Sequence, residues 1–243
     1  MGAGPPSQTW RTFLRNHVGQ IVAADFFVVP TATYRLLFVL VLLAHDRRRI
    51  RHVAVTALPT AAWTAQQLRE AFPWDEAPRY LLHDRDHAFD GLEATVKAMG
   101  IEEVLTAPRA PWQNPFVERF IGSAPRDCFD HVIVFNEAGL LRLMARYRSY
   151  YERSRTHLAL DKDTPIPRLV TPPGDGTIVA IPEVGGLHHR YERRAARTLR
   201  AATRIAIANA RRPGTALLPQ RHASRRTLFE VSTASTPSPR HIP

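Results

Sequence analysis

The stretch YRLLFVLVLLA, residues 34–44, does most to limit what this chain can fold into. Its apolar part, Leu36 to Ala44, is about half of the ~20 residues a membrane helix needs. It has no polar face, so it cannot lie on a surface. A continuous apolar run of this length reads as a strand covered on both sides. Two more runs flank it: IVAADFFVV (21–29), closed by Pro30, and RRIRHVAVTA (48–57). Short gaps separate the three, which predicts an antiparallel meander.

Beyond the meander the pattern alternates. PTAAWTAQQLREAF (59–72) has Thr60 as helix N-cap, with helix formers after it. RYLLHD (79–84) and EEVLTA (102–107) are short strands. GLEATVKAMG (91–100) between them is a helix stopped by Gly100. A helix starting at Asn114 and another over roughly 136–153 complete the series. Three meander strands followed by alternating helix and strand predict a mixed sheet with helices on its faces. After Thr171, PPGDG breaks the pattern, and the end, STASTPSPRHIP, reads as disordered. The start, MGAGPPSQTWRTFLRNH, has no apolar signal core and reads as a flexible arm. The single cysteine, Cys128, allows no internal disulfide. A cytoplasmic protein with no membrane segment is expected.

The net charge of +11 invites a nucleic-acid partner. The charge is unevenly placed, however. Residues 190–243 hold 12 arginines against 2 acids, so the rest of the chain is nearly neutral. Lys97 and Lys162 are the only lysines, and an Arg, Ala and Pro bias of this kind also arises from base composition alone.

Three carboxylates stand out. Asp25 interrupts a run of Val, Ala and Phe, where an unpaired charge is costly. The bland alternative puts it on a wet strand face, but neither face of that run is polar. Asp84 ends the next isolated strand, the place where α/β sheets put their sites. Glu118 lies in APWQNPFVERFIG (110–122), a stiff approach with Asn114 as N-cap and Pro115 at the first helical position. At ~100° per residue it falls about 60° past Ile121, on the border of the buried face. Gly122, one turn on, leaves the space above it open. Its alternative is an exposed helix carboxylate. Two aspartates and a glutamate offer oxygen only, which favours Mg²⁺ or Mn²⁺, one or two ions. The rival reading, a transition metal on His83 and His87, needs a helix where the sequence reads as strand. Asp86 is left as a supporting or solvated acid.

At these residues the chain resembles the catalytic core of DDE transposases of bacterial insertion sequences, whose core is like that of retroviral integrases. The matching stretches are ADFFVVPTATYRLLFV, HDRD, GIEEVLTAPRAPWQNPFVERFIG and YYERSRTHLALDKDTP, spanning about Trp10 to Pro167. PEVGGLHHRYERRAA is similar to the end of such proteins. The resemblance implies an RNase H-like fold: a five-stranded mixed sheet, strands 1–3 antiparallel, flanked by helices. It implies a metal triad at Asp25, Asp84 and Glu118, with 33 residues between the last two, slightly fewer than usual in the family. It implies divalent-metal-dependent DNA cleavage and strand transfer by a homo-oligomer on transposon ends and target DNA. The corresponding division is an arm at 1–19, the core at 20–160, an extension at 161–190 and a basic tail at 191–243.

Arg109, Gln113, Asn114, Arg119 and Arg126 carry donors suited to phosphate or base edges. Asn114 could instead only cap its helix, and the arginines could be solvated. Tyr150, Tyr151, Arg155 and His157 read as packing for the last helix. Four departures from the family pattern are Ala44 in LLAHD, an altered DHAFDG, the absence of a leading helix-turn-helix, and Pro125 inside a helix. The proline predicts a kink or stop near Ala124. The departures support an alternative, a remnant that binds DNA or oligomerises without cutting. A plain RNase H-like nuclease is a third reading.

Overall fold

A computed structural model describes residues 9–73, 76–174 and 176–194. The first element is a helix, α1 (Trp10–His17), where a flexible arm was expected. Thr9 caps it, its hydroxyl accepting the Thr12 N–H at 3.3 Å. Trp10, Phe13 and Leu14 form one stripe that packs on a buried cluster of Ile21, Tyr80 and Leu82. That helical spacing was readable, but the Gly and Pro residues before it drew the opposite conclusion.

The meander forms as expected: β1 (Ile21–Pro30), β2 (Leu36–Ala44) and β3 (Ile50–Thr56), each antiparallel to the next. Then follow α2 (Ala61–Ala71), capped by Thr60, and β4 (Tyr80–His83). Next come α3 (Glu93–Ala98), with Gly100 beyond it at φ +72°, and β5 (Glu102–Leu105). The order across the sheet is β3-β2-β1-β4-β5, with β4 parallel to β1 and β5 parallel to β4. The apolar run of β2 lies between β3 and β1, and its residues from Val39 to Leu43 are fully covered. This is the five-stranded RNase H-like sheet.

Two helices follow, α4 (Pro115–Asp127) and α5 (Glu137–Arg153), the latter capped by Asn136. They cover one sheet face: Ala23, Phe27, Val39 and Val41 pack with Val117, Phe120, Leu140 and Tyr147. The other face carries Ala24, Leu40 and Leu81 against α2 and α3 residues Leu68 and Val96. The docking of α5 involves the residues expected. Tyr151 meets Phe120 edge-on at 5.0 Å, and His157 meets Tyr151 at 4.9 Å.

Three expectations need correction. The helix carrying Pro125 does not stop at Ala124. It runs on to Asp127 and ends at Cys128, whose N–H reaches the carbonyls of Ala124 and Pro125. Proline is placed in the last turn, where its missing N–H leaves only the Ile121 carbonyl without its helical donor. Asn114 does not cap α4 with its side chain, which is buried instead. The third concerns the C-terminal part, where, beyond the PPGDG break, β6 (Thr177–Glu183) and β7 (His188–Arg194) form an antiparallel hairpin. It turns through Gly185 and Gly186 at φ +69° and +94°, and β7 runs past the boundary set at residue 190. The expected disorder of the tail, from residue 195 on, lies outside the described residues.

Candidate active site

The register of the parallel pair β1–β4 builds the site. Ala23 pairs with Leu82, and both side chains lie on one side of their strands. Two residues further along each strand come Asp25 and Asp84, on that same side because strand side chains alternate. It is the side covered by α4, which carries Glu118. Pro115 opens that helix, and buried Val117 and Phe120 fix its rotation, so Glu118 stands at the edge of the interface.

Asp25, Asp84 and Glu118 line one cavity of about 330 Å³. Asp86 joins them, and the wall is completed by Arg85, Asn114 and the loop from Thr106 to Pro111, which includes Arg109. The Asp25 carboxyl is pushed up to about 7. Burial is the main cause, opposed by the Phe26 N–H and reinforced by the charges of Asp84, Glu118 and Asp86. Glu118 is exposed on its helix, and its carboxyl is also raised, by partial burial and then by Asp84. The space beside Gly122 is open, as expected.

The carboxylates share the cavity without closing on one point. Among the described residues, no group of three or more His, Cys, Asp or Glu is arranged to hold a metal ion. Each strand acid is engaged locally: Asp25 Oδ1 accepts the Phe26 N–H at 2.7 Å, and Asp84 Oδ1 accepts the Asp86 N–H at 3.0 Å. The donor set nevertheless fits a hard divalent cation. It is all oxygen, and the like charges that raise Asp25 are what a cation would offset.

Other residues take roles that the sequence did not disclose. Asp86 caps the turn 87–89, accepting the Ala88 N–H at 2.8 Å. His83 is buried, with Nε2 2.8 Å from Glu103 Oε1 and Nδ1 2.6 Å from the Asp84 carbonyl, so it steadies the strand end that carries Asp84. His87 sits apart on an exposed turn against Asp90, and the histidine pair considered as a metal site does not form. Of the five residues with DNA-contact chemistry, Arg109, Arg119 and Arg126 are exposed. Gln113 is bound inward: its Oε1 accepts the Ala107 N–H at 2.6 Å, and its carbonyl accepts Trp10 Nε1 at 3.1 Å. Asn114 is buried beside His45, whose ring meets Phe116 edge-on at 4.8 Å. The approach is poorly aligned, since Asn114 Oδ1 and both His45 nitrogens are buried without a partner.

Residues 99–165 match the family model of the integrase core domain. No curated protein matches the sequence. Among solved structures, the chain is similar to a chain of the simian T-cell lymphotropic virus intasome in complex with PP2A regulatory subunit B56 gamma. The identity is 15% over 71% of this chain and 66% of that one, just under two thirds of its length, at a TM-score of 0.48. It is similar to the HTLV-2 integrase catalytic core domain in complex with magnesium, trimeric form, at 13% identity, 60% and 93% coverage and TM-score 0.45. It is also similar to the Mos1 transposase catalytic domain with Raltegravir and Mg, at 12% identity, 57% and 75% coverage and TM-score 0.49. The strand order stands independently of these likenesses. Over residues 99–165, which include Glu118, the chain carries the integrase core match, and its five-stranded sheet has the order β3-β2-β1-β4-β5.

Proposed function

We propose that this chain is the catalytic core of a DNA transposase of the bacterial insertion-sequence type, cutting DNA at an element's ends and joining the freed 3′-hydroxyl to target DNA. One observation carries the reading: acids from β1, β4 and α4 line a single cavity, and their charges act on one another. Asp25, Asp84 and Glu118 would hold Mg²⁺ or Mn²⁺, as the magnesium in the HTLV-2 core structure leads one to expect. When bound, such ions supply the charge that activates an attacking oxygen and stabilises a leaving one.

The chain's own residues set the stage for that chemistry. Half-buried Asp25, its carboxyl pushed up to about 7, would release a proton as a cation binds near neutral pH. The Asp86 N–H and His83 orient Asp84. Gln113 ties down the loop that walls the cavity, and Gly122 leaves room above Glu118 for a bulky substrate. Arg109 and Arg85 at the cavity attract the phosphate backbone, with Arg119 and Arg126 further along α4. Among the described residues no helix is long and apolar enough to cross a membrane. The proposed setting is the cytoplasm, with transposon-end and target DNA as partners and a homo-oligomer assembled on them.

The test is a nicking and strand-joining assay on the element's end sequences, with and without Mg²⁺ or Mn²⁺. Cleavage should require the metal and vanish in Asp25→Asn, Asp84→Asn and Glu118→Gln. Cleavage that survives all three substitutions would overturn the assignment. The alternative, a core that binds DNA without cutting it, draws on the carboxylates standing apart. DNA binding with no metal-dependent cleavage would select it.

A further inference from the structure

We infer that Arg48 and Arg119 form an anion subsite on the flank of α4 that takes a backbone phosphate of the DNA, beside the carboxylate cavity and not in it. The identity of the anion rests on the DNA reading above. Arg48 is only 8% exposed. Its guanidinium lies 4.7 Å over the Phe116 ring, and among the described residues it has no carboxylate or hydrogen-bond partner. Its neighbours differ. Arg47 bonds Asp163 Oδ2 at 2.8 Å, Arg155 bonds Asp127 Oδ2 at 3.0 Å, and Arg148 pairs with Glu152 at 3.4 Å. A buried arginine without a counter-charge is costly, and these three show that this region otherwise supplies one.

Arg119 lies one helical turn after Phe116, on the same side of α4. It is exposed, and its charge acts on Arg48. Both arginines also act on His157, which is buried at the end of the same cluster with its Nε2 unpartnered. Arg47 and Arg48 are held at φ 45° and 59°, a region non-glycine residues seldom occupy, in the turn that brings this cation against α4. Two guanidinium groups with no acid between them match a phosphodiester, which accepts several donors at once. Glu118 leaves α4 about 100° away from Arg119, so the subsite and the carboxylates occupy different sides of one helix. His45 and Asn114 join them, since His45 touches Phe116 and Asn114 lines the cavity. A strand crossing α4 would meet both.

The experiment is a salt titration of duplex DNA binding, followed by fluorescence anisotropy on the full chain in EDTA, so that cleavage plays no part. Arg119→Gln and Arg48→Gln should each lower the slope of log K against log salt by about 1 and weaken all sequences alike. Arg48→Lys should keep the slope and lose part of the affinity. Should Arg48→Gln fail to fold, exposed Arg119 still carries the test. Unchanged slopes in correctly folded variants overturn the subsite, while metal-dependent cleavage by the parent leaves the proposed function standing. A parent that neither binds nor cuts DNA overturns both. Inorganic phosphate that raises the melting temperature of the parent but not of Arg119→Gln, with the DNA slopes unmoved, marks a free-anion site and overturns the DNA assignment.

Discussion

Arg155 Nε donates to Asp127 Oδ2 at 3.0 Å, joining the segment after α5 to the last residue of α4. The same oxygen accepts the hydroxyl of Tyr147, a fully buried residue, at 3.1 Å. The Asp127 carbonyl lies 2.7 Å from His188 Nε2 on β7, and the His188 ring stacks on Tyr150 at 4.2 Å. One residue at a helix end thus connects α4, α5 and the hairpin. Asp127→Ala would leave a buried phenol and a guanidinium without their acceptor, at roughly 2 kcal/mol. Chemical denaturation should show a lower midpoint with an unchanged slope. A loss below ~0.5 kcal/mol would mean that water replaces the carboxylate.

Asp25 makes stability depend on pH. Its folded value of about 7 lies above the ordinary 3.8. The folded state therefore binds the proton more tightly than the unfolded chain does. The stabilisation is complete below about pH 4 and is lost as pH rises towards 7. Over that window the slope approaches ~1.4 kcal/mol per pH unit as an upper limit. Asp25→Asn should flatten the profile and be the more stable form at pH 8. Parallel profiles for the two proteins would show that Asp25 ionises freely.

Added Mg²⁺ or Mn²⁺ should reverse that loss. At pH 8 a cation at 100 times its dissociation constant would add ~2.7 kcal/mol. A calorimetric scan should show the melting temperature rising with metal in the parent and not in Asp25→Asn. Equal shifts in both would place any bound cation elsewhere on the surface.

Pro125 gives a prediction that follows from its place inside the last turn of α4. The helix passes through it to Asp127, and only the Ile121 carbonyl loses a donor. Pro125→Ala restores that bond in the last turn and should raise the melting temperature by ~2–4 °C, for a gain near 1 kcal/mol. A fall would show that the ring's packing matters more than the missing N–H.

Much of this architecture was legible because each strand announced itself by what it lacks. Leu36 to Ala44 has no polar face, and that placed it between two strands. Asp25 was conspicuous for the same reason, a charge among Val, Ala and Phe. Asn114 misled because capping is a local rule. Asn-Pro before an apolar run has the pattern of a cap, but burial beside His45 took the side chain elsewhere. The hairpin after Thr177 was hidden by its surface character, since few of its residues are buried and Pro182 interrupts the strand pattern. That the three acids share a cavity could be foreseen from a strand end and a helix edge. That Asp25 and Asp84 each accept a backbone N–H, from Phe26 and Asp86, is something no pattern of side chains discloses.

The matched offsets of Asp25 and Asp84 beyond the Ala23–Leu82 pair divide the chain into places that tolerate a change of length and places that do not. A residue inserted inside β4 would turn Asp84 to the α2 and α3 side, because strand side chains alternate. The same insertion in the exposed turn at Asp90 and Gly91 lengthens a surface connection and leaves both acids where they are. Related chains should therefore differ freely in the Asp84–Glu118 spacing while the count from strand start to aspartate stays fixed. The 33 residues between Asp84 and Glu118 are a spacing the sheet can absorb.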